Sequence, residues 1–254
     1  MVNIMKIGAS TLSGFKDKLE ENLDYFKDLG LNYVEILHQY PNDEIDTDLL
    51  NSYDLNYTIH SPIVNINIAS LNRAIRKTSI DEIKKSIDIA NKIDSNIVVV
   101  HPGNIPFLGR DFEDHIYNLA DEAFKELGEY GEDLGVTATI ENMPSFEGFM
   151  YTNMNQLNNT LEEHDLYMTL DIGHGYHSGH SPNEMYFDRV KHIHIHDNFG
   201  DDDSHLALGE GSIDLKHIIQ TYESKSYDGI YMIEVNDKDS VKKSFDYLNK
   251  NFVN

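Results

Sequence analysis

The 254-residue sequence carries 20 Lys and Arg against 44 Asp and Glu, a formal charge of −24 with histidine neutral, and 40% of it is apolar. That charge opposes general attraction to polyanions, so nucleic acid is disfavoured as a partner. The absence of cysteine removes disulfides, thiolate nucleophiles and Cys-type zinc sites, so any metal has to be met by imidazole and carboxylate.

The length suits one closed α/β barrel over residues 1–254 without a second domain, and no Ser/Gly/Pro-rich stretch or long charge run marks a linker. Residues 1–10 have a short apolar patch but neither a basic region nor a cleavage site, and no apolar run approaches the ~18 residues of a membrane span. A soluble, cytoplasmic protein without a membrane partner is expected. Composition says nothing of its oligomeric state.

In chain order, short runs rich in Val, Ile and Tyr predict strands at residues 6–9, 33–37, 57–60, 96–101, 136–141, 167–171, 190–196 and 229–235. Between them, amphipathic spacing predicts helices at 16–29, 80–93, 114–134, 154–163, 215–222 and 241–249, with only weak helical character after strands two and six. Strand and helix in alternation give repeated βα units, and eight strands give a (β/α)8 TIM barrel. Gly30, Gly135 and Gly229 each precede a strand, where an αβ turn favours a residue tolerant of positive φ.

Successive side chains of a strand face opposite ways, so the last residue of a strand identifies which of its neighbours line the barrel. Thr137, Thr139 and Glu141 share one face of strand five, and Ile230, Met232 and Glu234 one face of strand eight. The same parity runs from Thr58 to His60, Val99 to His101, Thr169 to Asp171, and His192 through His194 to His196. These residues finish inward rows at C-terminal strand ends, the catalytic face of such a barrel. Burying six imidazoles and carboxylates there without partners is costly, and a shared cation compensates it. Oxygen and nitrogen ligands without thiolate suit Zn, Mn, Co or Mg.

The blocks that carry these residues read His60-Ser-Pro-Ile-Val-Asn-Ile-Asn-Ile-Ala-Ser70, Val100-His-Pro-Gly103, Ile140-Glu-Asn142, Leu170-Asp-Ile-Gly-His174, His194-Ile-His-Asp-Asn198 and Asp203-Ser-His-Leu-Ala-Leu-Gly-Glu-Gly211. In this order, over nearly the whole chain, they resemble the xylose-isomerase-like TIM-barrel superfamily, which includes sugar phosphate isomerases and epimerases and the endonuclease IV enzymes. In the epimerase branch the resemblance implies one divalent metal held by Glu141, Asp171, His194 and Glu234. The endonuclease IV branch holds three zinc ions, with added positions that match His60, His101, His174, Asp203 and His205. Parity does not separate His196 from His194; the family motif alone selects His194. One to three ions are therefore implied.

Two chemistries follow from the resemblance. In sugar isomerisation or epimerisation, the metal polarises a carbonyl and stabilises an enediolate, Glu141 and Glu234 act as base and acid, and His174 aligns substrate oxygens. In phosphodiester hydrolysis, Glu141 bridges metals instead. Departures from the nuclease pattern favour the first. Ile63 follows His60-Ser61-Pro62 where the nucleases usually carry an aromatic residue, and only Arg73, Arg76, Arg110 and Arg189 are available as arginines, the last on the face away from the metals. A small sugar or sugar phosphate is the expected substrate, and Arg73, Arg76 or Arg110 could meet one phosphate.

Five further side chains carry expectations. Glu35, near the end of strand two, reads as a substrate contact or a solvated rim carboxylate. His38, His177 and His180 read as exposed or capping residues on loops, and His192 as a hydrogen-bonded core residue. Gly209 and Gly211 around Glu210 resemble a tight turn rather than a phosphate loop.

Overall fold

The structure, a computed structural model, describes residues 5–253; residues 1–4 of the N-terminal apolar patch lie outside these. Eight parallel strands close in sequence order: β1 (Lys6–Ser10), β2 (Tyr33–Leu37), β3 (Asn56–His60), β4 (Ile97–Val100), β5 (Thr137–Glu141), β6 (Tyr167–Asp171), β7 (Val190–Ile195) and β8 (Ile230–Ile233). The barrel seals where β1 pairs with β8, Lys6 opposite Ile230 through Ala9 opposite Ile233. The helices are α1 (Leu19–Leu29), α2 (Thr47–Asn51), α3 (Arg73–Lys92), α4 (Glu113–Asp133), α5 (Met154–Glu163), α6 (Ile172–His177), α7 (Leu215–Ser224) and α8 (Lys238–Phe252). Each long helix lays an apolar stripe, such as Leu19, Leu23 and Phe26 of α1 or Ile116, Ala120, Phe124 and Leu127 of α4, against the outward faces of the strands. None of the helices among the described residues is long and apolar enough to cross a membrane.

The connections read from the sequence as weakly helical are short helices: α2 has five residues and α6 six. The expected strands at 96–101, 190–196 and 229–235 each run past the observed pairing, so His101, His196 and Glu234 lie just beyond a strand end. Helix α3 begins seven residues before the expected residue 80. Asn72 caps it, its Oδ1 accepting from the amides of Ala74 and Ile75, and its first turns project past the core, so apolar periodicity did not reveal them.

Gly30 has φ +90 in the left-handed turn that ends α1, as expected. Gly229 differs. It does not have positive φ; the left-handed residue in that turn is Ser226, and a Cβ on Gly229 would lie 2.5 Å from the Lys191 carbonyl oxygen. Close strand approach, not turn geometry, requires glycine there.

Candidate metal centre

Local structure brings the chemistry together at the C-terminal strand ends. Asp171 closes β6 and also caps α6, with its Oδ1 accepting from the His174 amide at 2.7 Å. The Asp-x-x-His spacing thus places both side chains on one side of a single helical turn. Asn142, just after β5, donates to the Asp171 carbonyl and accepts from the Asp171 amide, each at 2.9 Å, continuing the ladder where backbone pairing stops. Asp197 organises the connection between β7 and α7, accepting from the amides of Asn198, Gly209 and Ile213. Gly209 follows as a turn residue with φ +85.

The expected ligands converge. Glu141, Asp171, His194 and Glu234, from the ends of β5, β6, β7 and β8, place ligand atoms within 4.8 Å of one another. His60 Nε2 and His101 Nε2 approach Glu141 Oε2 at 3.4 and 3.2 Å. His174 Nε2 and His205 Nε2 approach Asp203 Oδ2 at 3.1 and 3.2 Å, so all nine residues lie in one connected cluster.

Hydrogen bonds fix how the imidazoles face. A carbonyl oxygen only accepts, so Nδ1 carries the proton in His60, which donates to the Ser61 carbonyl, in His174, which donates to Asn142, and in His205, which donates to Glu234. Their Nε2 atoms are left facing carboxylates. His194 is turned the other way: its Nε2 meets Glu35 Oε1 at 3.0 Å, and its Nδ1 faces Glu234 Oε2 at 3.0 Å and Glu141 Oε1 at 3.4 Å.

Oxygen and nitrogen atoms of this cluster are buried without a hydrogen-bond partner: Glu141 Oε2, Asp171 Oδ2, Asp203 Oδ1 and both ring nitrogens of His194 and His196. Orphaned ligand atoms of both kinds, aimed at one another, fit a bound divalent cation, which would satisfy them together. Without a cation, protons take its place. Burial opposes ionisation of Glu141, yet His194 and His101 outweigh it and hold its carboxyl well below the usual range. Burial likewise opposes charge on Glu234, and His194 overrides it to bring the carboxyl down to about 2. Burial disfavours the imidazolium of His205, but Asp203 and Glu234 push it up to about 9. Burial also disfavours charge on His174 and His194, and the surrounding carboxylates raise both well above an ordinary imidazole.

Several sequence expectations change. Glu35 is neither on the rim nor at a surface: it is wholly buried, and its Oε2 accepts from Thr58 Oγ1 at 3.0 Å and from His192 Nε2 at 2.9 Å. His192 is the buried core residue expected. His38 is buried rather than exposed, bonded through Nδ1 to Ser86 Oγ of α3 and through Nε2 to the Asp43 carbonyl. His177 accepts from the Ser145 amide and His180 bonds the Thr152 carbonyl, both half-buried capping roles. His174, expected to align substrate, is engaged through both ring nitrogens. His196, left open by parity, belongs to the cluster: its Nε2 lies 3.2 Å from Asp171 Oδ1 and 3.5 Å from Asp203 Oδ1.

Beside His101 a cavity of about 240 Å³ is walled by Pro62, Ile63, Ile66, Met143 and Phe149. Three larger hollows lie away from the cluster, two of about 650 Å³, at the N-terminal strand ends beside Lys6, Asn56 and Thr137 and between α4 and α5, and one of about 310 Å³ between α3 and α4. They hold no comparable group of metal-binding side chains, and the chemistry places the candidate site at the smaller cavity. Arg76 donates to the Ser70 carbonyl and Arg110 pairs with Glu147, while Arg189 bonds Asp165 at the far end of the barrel.

Known proteins share this architecture. The chain is 35% identical to the uncharacterized protein MJ1614 of Methanocaldococcus jannaschii over 92% of its length and 93% of the relative's. It is 26% identical to fructoselysine 3-epimerase of Shigella flexneri, over 63% of this chain and 60% of that one. A solved D-tagatose 3-epimerase-like protein superposes with a TM-score of 0.88 at 29% identity, covering 97% of this chain and 96% of the other. The family model for xylose isomerase-like TIM barrels matches residues 23–251, and the chain belongs to that family.

Proposed function

We propose that this protein is a divalent-cation-dependent epimerase or isomerase of a small sugar or sugar phosphate, acting at a carbon beside a carbonyl. The observation that carries the reading is the quartet of Glu141, Asp171, His194 and Glu234, contributed by four consecutive strands and converging within 4.8 Å. Similarity to a fructoselysine 3-epimerase and to a D-tagatose 3-epimerase-like protein supports the same class. A cation in the quartet would supply positive charge beside the substrate carbonyl and lower the cost of an enediolate.

The residues of the chain do the rest. Glu141 and Glu234 approach from strands three apart and are ionised in the resting site, so each begins as a proton acceptor. In our scheme Glu141 removes the proton from carbon. Glu234, after taking a proton from a substrate hydroxyl, delivers it to the opposite face of the carbon, and Glu141 passes its proton to that hydroxyl oxygen, so both carboxylates end ionised as they began. Asp171 serves as ligand without proton transfer, since its two oxygens are committed to the cluster and to the α6 cap. His174 is a positioning residue that holds Asp203. The apolar walls beside His101 limit water around the reacting carbon.

His60 and His101 around Glu141 also suit a multinuclear phosphodiesterase, which makes that chemistry the rival reading. A direct comparison separates them: cation-loaded protein is incubated with ketoses, aldoses and their phosphates, and separately with an abasic-site duplex. Conversion of a sugar, lost in Glu141→Gln, is expected. Incision of the duplex with no sugar converted would overturn the proposal.

A further inference from the structure

Of the large apolar side chains that stand exposed among the described residues, all but Val253 lie on connections that follow a strand or on the first turn of α3, at the end of the barrel that carries the ligand cluster. Apolar side chains gathered on one face mark a binding surface, and the cavity of about 240 Å³ beside His101 opens among them, with Ile63, Val64 and Phe149 belonging to both. We propose that this cavity is a subsite for an apolar group, aryl or branched alkyl, that the substrate carries at the end of the sugar away from the reacting carbon. The inference rests on the sugar reading of the site and narrows it: the substrate class is a sugar bearing such a group, and not a sugar phosphate.

His101 joins the cavity to the chemistry. Its side chain lines the cavity, and its Nε2 stands 3.2 Å from Glu141 Oε2, the carboxylate that takes the proton from carbon in the scheme above. Met143, two residues beyond Glu141, forms another wall. A substrate held with its reacting carbon at Glu141 and extended past His101 places its far end among Ile63, Ile66 and Phe149.

The walls select what that end can be. The side chains of Ile63, Ile66, Met143 and Phe149 offer no hydrogen-bond donor, and Asn104, which brings a side-chain amide to the lining, already has its Oδ1 taken by Asn67 Nδ2 at 2.6 Å. Sugar hydroxyls placed there lose water without gaining partners, whereas an apolar group is stabilised by leaving water. A phosphate fares worse. Neither Lys nor Arg lines the cavity, Arg76 is spent on the Ser70 carbonyl and Arg110 on Glu147. Size agrees: an apolar cavity of about 150 Å³ holds benzene, so about 240 Å³ holds one substituted ring.

Polar bonds behind the walls hold them in place. Gln39 Oε1 accepts from the amides of Ile63 and Val64. Asn67 ties the β3–α3 connection to the β4–α4 connection, its Oδ1 accepting from the amides of Ala69 and Asn104 and its Nδ2 donating to the Asn104 carbonyl. Gly103 has φ +98, and a Cβ on it would come 2.7 Å from Asn67 Oδ1, so the close approach of these two connections requires glycine there. The Ile105 amide donates to the Gly148 carbonyl, which fixes the next connection beside Phe149. Walls fixed in this way need no reordering when a ligand enters, and that lowers the cost of filling the cavity.

Calorimetry on the Mn²⁺-loaded full-length protein compares D-fructose, D-fructose 6-phosphate and 6-O-benzyl-D-fructose as probes. The benzyl ether is expected to bind at least about tenfold more tightly than either of the others. Ile63→Lys and Phe149→Ala change wall residues that are 37% and 38% exposed, which spares the core. Each should erase most of the benzyl preference, and Ile63→Lys should also raise the affinity for the 6-phosphate above that for D-fructose, a reversal that a merely structural role would not produce. If one variant does not fold, the other decides. No binding of the benzyl ether, binding no tighter than that of D-fructose, or an unchanged preference in the variants overturns the proposal. Turnover is read separately. A benzyl preference that the variants lose, with no sugar converted, leaves the subsite standing and counts against the epimerase reading; conversion of D-fructose without a benzyl preference does the reverse.

Discussion

Glu35→Gln isolates the electrostatic support beneath the quartet, because the change preserves shape and removes one acceptor. The carboxylate is wholly buried: Thr58 and His192 donate to its Oε2, and its Oε1 stands 3.0 Å from His194 Nε2. A glutamine has one acceptor oxygen, so its amide nitrogen must face one of the two sides. If it faces His194, Nε2 must become an acceptor and the imidazole proton moves to Nδ1, the atom that stands 3.0 Å from Glu234 and in the proposed site would present a lone pair to the cation. If it faces His192 and Thr58, those two donors lose their acceptor and His194 keeps its tautomer at their expense. Removing an outer partner of a ligating histidine costs about 10- to 100-fold in metal affinity, or ~1.4–2.7 kcal/mol. Titration with Mn²⁺ against a competing chelator measures this, and thermal unfolding of the stripped protein reports separately on the fold. A folded variant whose Mn²⁺ affinity equals that of wild type would refute the role given to Glu35.

Glu141→Gln and Glu234→Gln each remove a proton acceptor and a ligand charge; turnover of the accepted sugar should fall by at least about 10²–10⁴-fold with circular dichroism unchanged, and near-native turnover in both would contradict the acid/base assignment. Gly173→Ala inserts a methyl where a Cβ meets the His196 ring at 1.9 Å. It should cost about 1–3 kcal/mol in urea unfolding and displace His196, and a neutral result would mean that the ring is free to move aside.

Much of this site was legible because a strand has a period of two: Glu141, Asp171, His194 and Glu234 were identified as inward-facing by parity and chosen as ligands by motif, and they converge as expected. Parity fixes a face, however, and does not fix depth. Glu35 looked like a rim residue because it lies near the end of its own strand, but the register sets Glu35 opposite Thr58 and Leu37 opposite His60, which lowers the carboxylate by two residues beneath the ligand layer. Register depends on how all eight strands shear together, and no single strand encodes it. His38 was misplaced for a related reason, since its partner Ser86 comes from α3 and only tertiary packing brings them together.

The depth of Glu35 has a physical consequence. Below the ligands lies a polar layer of Glu35, Thr58, Thr139, Thr169 and His192, all fully buried, with the hydroxyls of Thr139 and Thr169 bonded at 2.7 Å. Packing alone would favour the branched apolar residues common inside such barrels. Here the polar layer anchors Glu35 from below through Thr58 and His192, so that its remaining oxygen is held for His194. Because β6 and β7 pair Thr169 with His192 and Asp171 with His194, the same register that sets His192 at the floor sets His194, the proposed ligand, beside Asp171. Support and ligand alternate along one strand, and the orientation of the quartet is therefore a property of the barrel register as much as of the ligands themselves.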